Sequence, residues 1–200
     1  MNDLLKFFLP TYLIGYFAVA LFWRSFVTWR KTGVIPYVFG KTDNVHNFVG
    51  MLFRLTLFAC TIVVSIYSFW SGGYQYLAPI LWLNHSMLIY FGLGLFIVSF
   101  IWTFIAQAQM GNSWRIGIDL NHKTELIQTG VFRLSRNPIF LGMRLTLLGL
   151  FFTLPNALSL VIVILGDALI QIQVRLEEEF LAKTHGKTYQ EYCKKTRRWV

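Results

Sequence analysis

The chain has 200 residues, 56% of them hydrophobic and 14% charged, with a net charge of +9 and a mean hydropathy of +0.54. Soluble domains carry roughly 25% charged residues, so this composition excludes an ordinary water-soluble domain and predicts a single membrane domain over residues 1–200. Cys60 and Cys193 are too few and too distant for a disulfide framework or a zinc site, and His46, His85, His122 and His185 lack metal-ligand spacing and read as polar loop residues.

In chain order, the apolar runs predict spans at Phe7 to Trp29, Phe48 to Trp70, Leu83 to Ala106, Pro138 to Leu154 and Ala157 to Val174. A span needs about 20 apolar residues, so the last two are short. The first run is too long for a signal peptide and lacks a small-residue cleavage site. Arg24 and Arg54 lie near span ends, where long side chains reach the interface. Gly92 and Gly94 predict close packing along the third span. Only Pro155 and Asn156 separate the last two, which predicts a tight helical hairpin. The expected fold is an all-α integral membrane helical bundle. It has five transmembrane helices, a C-terminal hairpin and a cytoplasmic amphipathic tail.

With the N-terminus outside, every Lys and Arg except Lys6 lies on or within reach of the inner side, and the Ser71 to Asn84 connection carries no charge. This positive-inside pattern accounts for the net charge without nucleic acid, and suggests a bacterial inner membrane. Trp23, Trp29, Trp70, Trp82 and Trp114 sit near span ends, as an aromatic belt would. The basic run Lys194 to Arg198 suits a surface facing anionic membrane lipids.

Polar residues gather on the inner side in three places: Gln107 to Arg115, Thr124 to Gly142, and Gln171 to Glu179. In the middle one, Gly130 opens left-handed backbone angles, and Pro138 suits the first turn of a helix while pushing Asn137 towards an extended conformation. The free amides of that first turn, with Arg133 and Arg136 beside them, predict a seat for an anionic group. At 100° per residue, Gln173 and Glu177 share one helix face, while Asp167, Gln171, Arg175 and Glu178 follow another. Asp167, mid-span, is expected to face the bundle interior. Arg175 and Glu179 have the spacing of a solvated pair. The hairpin brings the start of its first helix beside the end of its second, so Arg136 is expected near Glu177.

The pattern Leu126-x-x-x-Gly130-x-Phe132-x-x-x-Arg136-Asn137-Pro138-x-Phe140-x-Gly142, followed by Glu177-Glu178-x-x-Leu181 and His185-Gly186-x-x-Tyr189-x-x-Tyr192, resembles the isoprenylcysteine carboxyl methyltransferase and phospholipid methyltransferase superfamily. The resemblance covers about Thr124 to Trp199. It implies a membrane enzyme that uses S-adenosylmethionine to methylate a lipophilic or lipidated acceptor, with residues 111–200 as its core behind three N-terminal spans in residues 1–110. By the same resemblance, Thr124, Glu125, Leu126, Ile127, Gly130, Phe132, Arg136, Asn137, Pro138, Ile139, Phe140, Glu177 and Glu178 line the cofactor. Arg136 and Glu177 are its catalytic pair, and Gln173 and Arg175 lie towards the substrate. Three positions depart from the pattern: Asn137 replaces the usual histidine, and Phe132 and Phe140 replace tyrosines. Gln173 stands where carboxyl-methylating members place an arginine, which disfavours a prenylcysteine carboxylate. Two other readings stay open: an NADPH-dependent reductase of the sterol-reductase type, and a non-catalytic membrane protein with the same fold.

Overall fold

The computed structural model describes residues 2–39, 44–70, 72–119, 122 and 124–200. Among the described residues no strand forms, and the architecture is helical throughout. Helix α1 (Asn2–Phe17) passes through a π-helical segment, Ala18–Trp23, into α2 (Arg24–Thr32). Then come α3 (Val45–Phe69), α4 (Ser86–Met110), α5 (Pro138–Thr153), α6 (Ala157–His185) and α7 (Lys187–Lys195). Four continuous runs are long and apolar enough to cross a bilayer: Asp3–Thr32, Val45–Phe69, Ser86–Ser113 and Ala157–His185. The fifth expected span, α5, has 16 residues. At 1.5 Å per residue it reaches about 24 Å, short of a hydrocarbon core of about 30 Å.

The hairpin between α5 and α6 turns in three residues, Leu154, Pro155 and Asn156, because its polar groups satisfy one another. Asn156 accepts the Ser159 amide at 2.9 Å, Ser159 Oγ accepts the Asn156 amide at 3.1 Å, and Asn156 Nδ2 donates to the Leu154 carbonyl at 2.8 Å. This reciprocal cap removes the helix-start amides from competition with lipid. The outer connection closes over it: Ile80 N–H donates to the Pro155 carbonyl at 2.9 Å, and Ala157 N–H to Ala78 at 3.1 Å. Beneath lies an apolar core of Leu5, Leu9, Val63, Phe96, Leu154 and Ile162.

Helices α4 and α5 touch backbone to backbone. A Cβ on Gly92 would lie 2.8 Å from the Thr153 amide nitrogen and 2.9 Å from the Gly149 carbonyl oxygen. Gly94, by contrast, has nothing within 4 Å of its Cβ position and faces open space. Of the two glycines expected to allow close approach, only Gly92 is at a contact. Polar bonds add to that seam: Ser99 Oγ donates to Gly142 O at 2.8 Å and Trp102 Nε1 to Pro138 O at 2.8 Å.

Trp23, Trp29, Trp70 and Trp82 are exposed at helix ends, as a belt requires. Trp114 is not. It is 5% exposed, with its indole nitrogen 3.5 Å from Ser25 Oγ, because the chain after α4 folds back against α2.

Candidate functional site

The inner connection after α4 is held by the polar residues that leave that helix. Gln107 Nε2 donates to the Ala20 carbonyl in the π-helical segment at 2.9 Å, and Arg24 donates to the Gly111 carbonyl. Ser113 Oγ accepts the Glu125 amide at 3.2 Å, and Gln109 Oε1 accepts the Val131 amide at 2.8 Å. These bonds fix the irregular stretch Thr124, Glu125, Leu126, Ile127 and the 3-10 turn Gly130–Arg133 along the end of α4.

Gly130 has φ +60°, and a Cβ there would strike the Gln109 amide group. Gly130→Ala is expected to cost about 1–2 kcal/mol, since L-residues pay that much for the left-handed region. Thermal unfolding in detergent checks it, and Gly111→Ala, with φ +54° but an open Cβ position, separates strain from the clash. Next along the chain, Phe132 is buried, and its carbonyl accepts the Tyr192 hydroxyl at 2.5 Å. Burial pushes the Tyr192 phenol up to about 12, so it remains a donor at neutral pH.

Pro138 takes the first position of α5, as expected, and Asn137 precedes it at φ −128°. The amides just before the helix are spent on the protein itself: Arg136 N–H donates to the Arg197 carbonyl at 2.9 Å and Asn137 N–H to Ser135 Oγ at 3.1 Å.

Glu178 is the hub of this inner mouth. Its Oε1 accepts from Arg136 Nε at 3.2 Å, from Arg136 Nη2 at 3.1 Å and from Asn137 Nδ2 at 3.0 Å. Its Oε2 accepts from Arg198 Nη2 at 2.7 Å and Nε at 3.0 Å. These two hydrogen bonds to one carboxylate oxygen hold the Arg198 guanidinium above its usual range. Arg136 Nη1 also donates to the Thr196 carbonyl at 2.8 Å. Thr196 to Trp199 thus form a strap fastened across the ends of α5 and α6. Farther along, the Arg144 guanidinium stacks on Trp199, 4.6 Å from the ring centre, and pairs with Asp167 at 2.6 Å.

Arg136 was expected to lie near Glu177; the carboxylate it binds is that of the next residue, Glu178. The helix period is the reason. Glu178 lies on the α6 face that carries Asp167, which meets α5, whereas Glu177 shares the other face and accepts from Gln173 Nε2 at 3.1 Å. Asp167 does not point into the bundle interior but lies partly exposed, against Arg144. Arg175 turns back to the carbonyl and side chain of Gln171, at 2.7 and 3.0 Å, while Glu179 pairs with Lys183 at 2.6 Å, so these two do not pair with each other. Arg133 and the Glu125 side chain are exposed, and Ile139 and Phe140 are partly buried in the first turn of α5.

Deeper in the bundle, a cavity of about 80 Å³ lies between α1, α3, α4, α5 and α6. Its walls are almost wholly apolar, with Phe53, Met143, Leu147 and Ile170 among them, and with Tyr12 and Tyr16 from α1. His46, in the first turn of α3, lies outside the cavity's lining. His46 Nε2 accepts the Ile118 amide at 3.1 Å, and its ring lies beside Gln173. No local spacing marks it, because its partners come from loops and helices far along the chain.

A family model for phospholipid methyltransferases matches residues 87–188. The chain belongs to the phospholipid methyltransferase family. That family is part of the isoprenylcysteine carboxyl methyltransferase-type superfamily, and membership implies methyl transfer to a membrane-associated acceptor. The matched region of this phospholipid methyltransferase-family chain begins in α4 and ends at the start of α7; α1, α2 and α3 lie outside it. A search of the curated proteins finds no match.

Proposed function

We propose that the protein transfers a methyl group from S-adenosylmethionine to the polar group of a lipophilic acceptor, working at the cytoplasmic face of a bacterial inner membrane with its N-terminus outside. The observation that carries this is the Glu178 hub, where Arg136 and Asn137 from the start of α5 and Arg198 from the strap meet one carboxylate.

The residues present suit such a cofactor. Its carboxylate calls for guanidinium donors, which Arg136 and Arg198 offer; its ammonium and ribose hydroxyls call for carboxylates, which Glu178 and Glu177 offer. Phe132, Ile139, Phe140, Leu126 and Ile127 supply apolar walls for adenine, with the backbone of Thr124 and Glu125 beside them, Gly130 next along the chain, and Pro138 shaping the turn. Asn137 does by amide donation what an imidazole would do by N–H donation, which accommodates that departure from the family pattern. S-adenosylmethionine supplies an electrophilic methyl group on its sulfonium. The protein's task is then to align the acceptor and keep water out. Arg136 anchors, and the strap closes the aqueous side.

Calorimetric titration of the purified protein with S-adenosylhomocysteine tests this reading. Saturable binding is expected, weakened at least about tenfold by Arg136→Ala, the effect of losing a charged hydrogen bond worth about 1.5–3 kcal/mol. Absence of binding at millimolar concentration, with thermal protection by NADPH instead, would replace it with the reductase reading.

A further inference from the structure

Asp167 was expected in the bundle interior and instead lies on the outer surface of α6, paired with Arg144 at 2.6 Å, the two side chains 39% and 30% exposed. Lipid would be expected to cover that surface. Leu160 and Ile164 share the face of α6 that carries Asp167 and are 38% and 59% exposed, while Gln171 and Arg175 continue it towards the inner end. At about 1.5 Å per residue, Asp167 lies roughly 15 Å from the outer end of α6 and roughly 16 Å from Glu178. Under a flat hydrocarbon core of about 30 Å, that depth is the midplane. A partly exposed ion pair there is expensive. An arginine can leave such a position by extending to the interface, but an aspartate is too short to do so. Here the arginine is turned towards the aspartate instead.

Two further observations indicate that the core is thinner on this side. Helix α5, which supplies Arg144, has 16 residues and reaches only about 24 Å. Trp199, at the end of the strap, comes down to Arg144, with the guanidinium 4.6 Å from its ring centre. Arg144 itself is roughly 9 Å along α5 from Pro138. Tryptophan collects at the membrane–water boundary, so along this seam the boundary passes near Arg144 and not at Pro138. The far side of the bundle differs. Helix α4 has 25 residues, and Ile97, Ile101 and Phe104 on its flank are apolar and more than half exposed.

We propose that the lipid-facing seam of α5 and α6 is a notch in the inner leaflet, where the bilayer's head-group layer and its water descend past Arg175 and Gln171 to the Arg144–Asp167 pair. The partner of this surface is the polar layer of the membrane, not hydrocarbon tails. The strap then lies within that layer, and the Glu178 hub stands on its aqueous side.

Thiol labelling of the full chain in lipid nanodiscs tests this, because only a hydrated thiolate attacks a maleimide. On a Cys193→Ser background, with buried Cys60 as the blank, Gln171→Cys and Ile101→Cys place thiols at matched heights, each roughly 21–22 Å from the outer end of its helix. A sulfonated maleimide, which stays out of hydrocarbon, is expected to label Gln171→Cys at least about tenfold faster than Ile101→Cys. Adding Arg144→Leu and Asp167→Leu together, which leaves neither charge unpaired, should remove most of that difference. Comparable rates for the two cysteines would overturn the proposal, whether lipid tails or a second copy of the chain covers the seam. Bilayer thickness gives a second reading that needs no cysteine and decides the matter if Gln171→Cys fails to fold. The wild type is expected to unfold at a higher temperature in myristoleoyl than in erucoyl phosphatidylcholine, and the double leucine variant to shift that difference towards the thicker bilayer by about 3 °C or more. A wild type no less stable in the erucoyl bilayer, or a double variant with an unchanged preference, would show that no notch exists.

Discussion

Glu178→Ala is expected to unfasten the C-terminal strap and destabilise the protein by about 3 kcal/mol, the lower end of the range for removing one partner of a buried ion pair. Two guanidiniums and one amide lose their acceptor at once, since Arg136, Asn137 and Arg198 all converge on this carboxylate. The lower end applies because the Arg198 side chain is 35% exposed and water can solvate it after the loss. Arg136 is different: its side chain is 13% exposed, and its remaining partners are carbonyls. Hydrogen exchange should show faster exchange at Arg136, whose amide donates to Arg197, and through the strap, with little change at the outer hairpin. Glu178→Gln keeps an acceptor oxygen but loses the charge and should fall between wild type and alanine. An unchanged exchange rate at Arg136 in Glu178→Ala would show that the strap is held by backbone bonds alone.

The second large effect is expected at the crossing of α4 and α5. Gly92→Val places methyl groups where the Thr153 amide and the Gly149 carbonyl already stand, within 3 Å of the new Cβ. Overpacking costs about 1–3 kcal/mol and sometimes more. Here the obstruction is backbone, which cannot rotate away, so the cost belongs at the top of that range. The companion variant Gly94→Val meets nothing within 4 Å and should stay within about 0.5 kcal/mol of wild type. The pair differs by two residues and carries the same chemistry, so unfolding measurements in detergent isolate the contact itself. Because Trp102 of α4 holds the Pro138 carbonyl at the start of α5, prising the helices apart should also loosen the Arg136 end of the site.

Four of the five expected spans could be read directly, because apolar length is a one-dimensional property of the chain. Where they fail is at the edges. The apolar span was drawn to Val174, and the helical phase followed to Glu178 beyond it runs on to His185 in α6, which carries Glu178 to α5. Helical phase placed Gln173 with Glu177 and Glu178 with Asp167 correctly. What phase could not say is which of the two faces meets α5, so it could not single out Glu178 as the carboxylate that Arg136 binds. His46 was unreadable for another reason: its neighbours Phe39, Ile118 and Gln173 converge only after the inner loops fold over α3. The roles of Gln107 and Gln109 as fasteners of the Ala20 carbonyl and the Val131 amide have no local signature either.

The π-helical segment Ala18–Trp23 sets the angular register between two halves of one membrane-crossing rod. In an ordinary α-helix, positions four apart drift by about 40° per step, so Tyr12, Tyr16, Ala20, Arg24 and Thr28 would wind away from a common line. The wider turn, closed by i→i+5 bonds, slows that drift. Tyr12 and Tyr16 can then border the cavity while Ala20 and Thr28 are buried and Arg24 reaches the Gly111 carbonyl. Deleting one residue from this segment would tighten it to an α-turn and rotate everything after it, detaching α2 from the loop it clasps while leaving α1 seated.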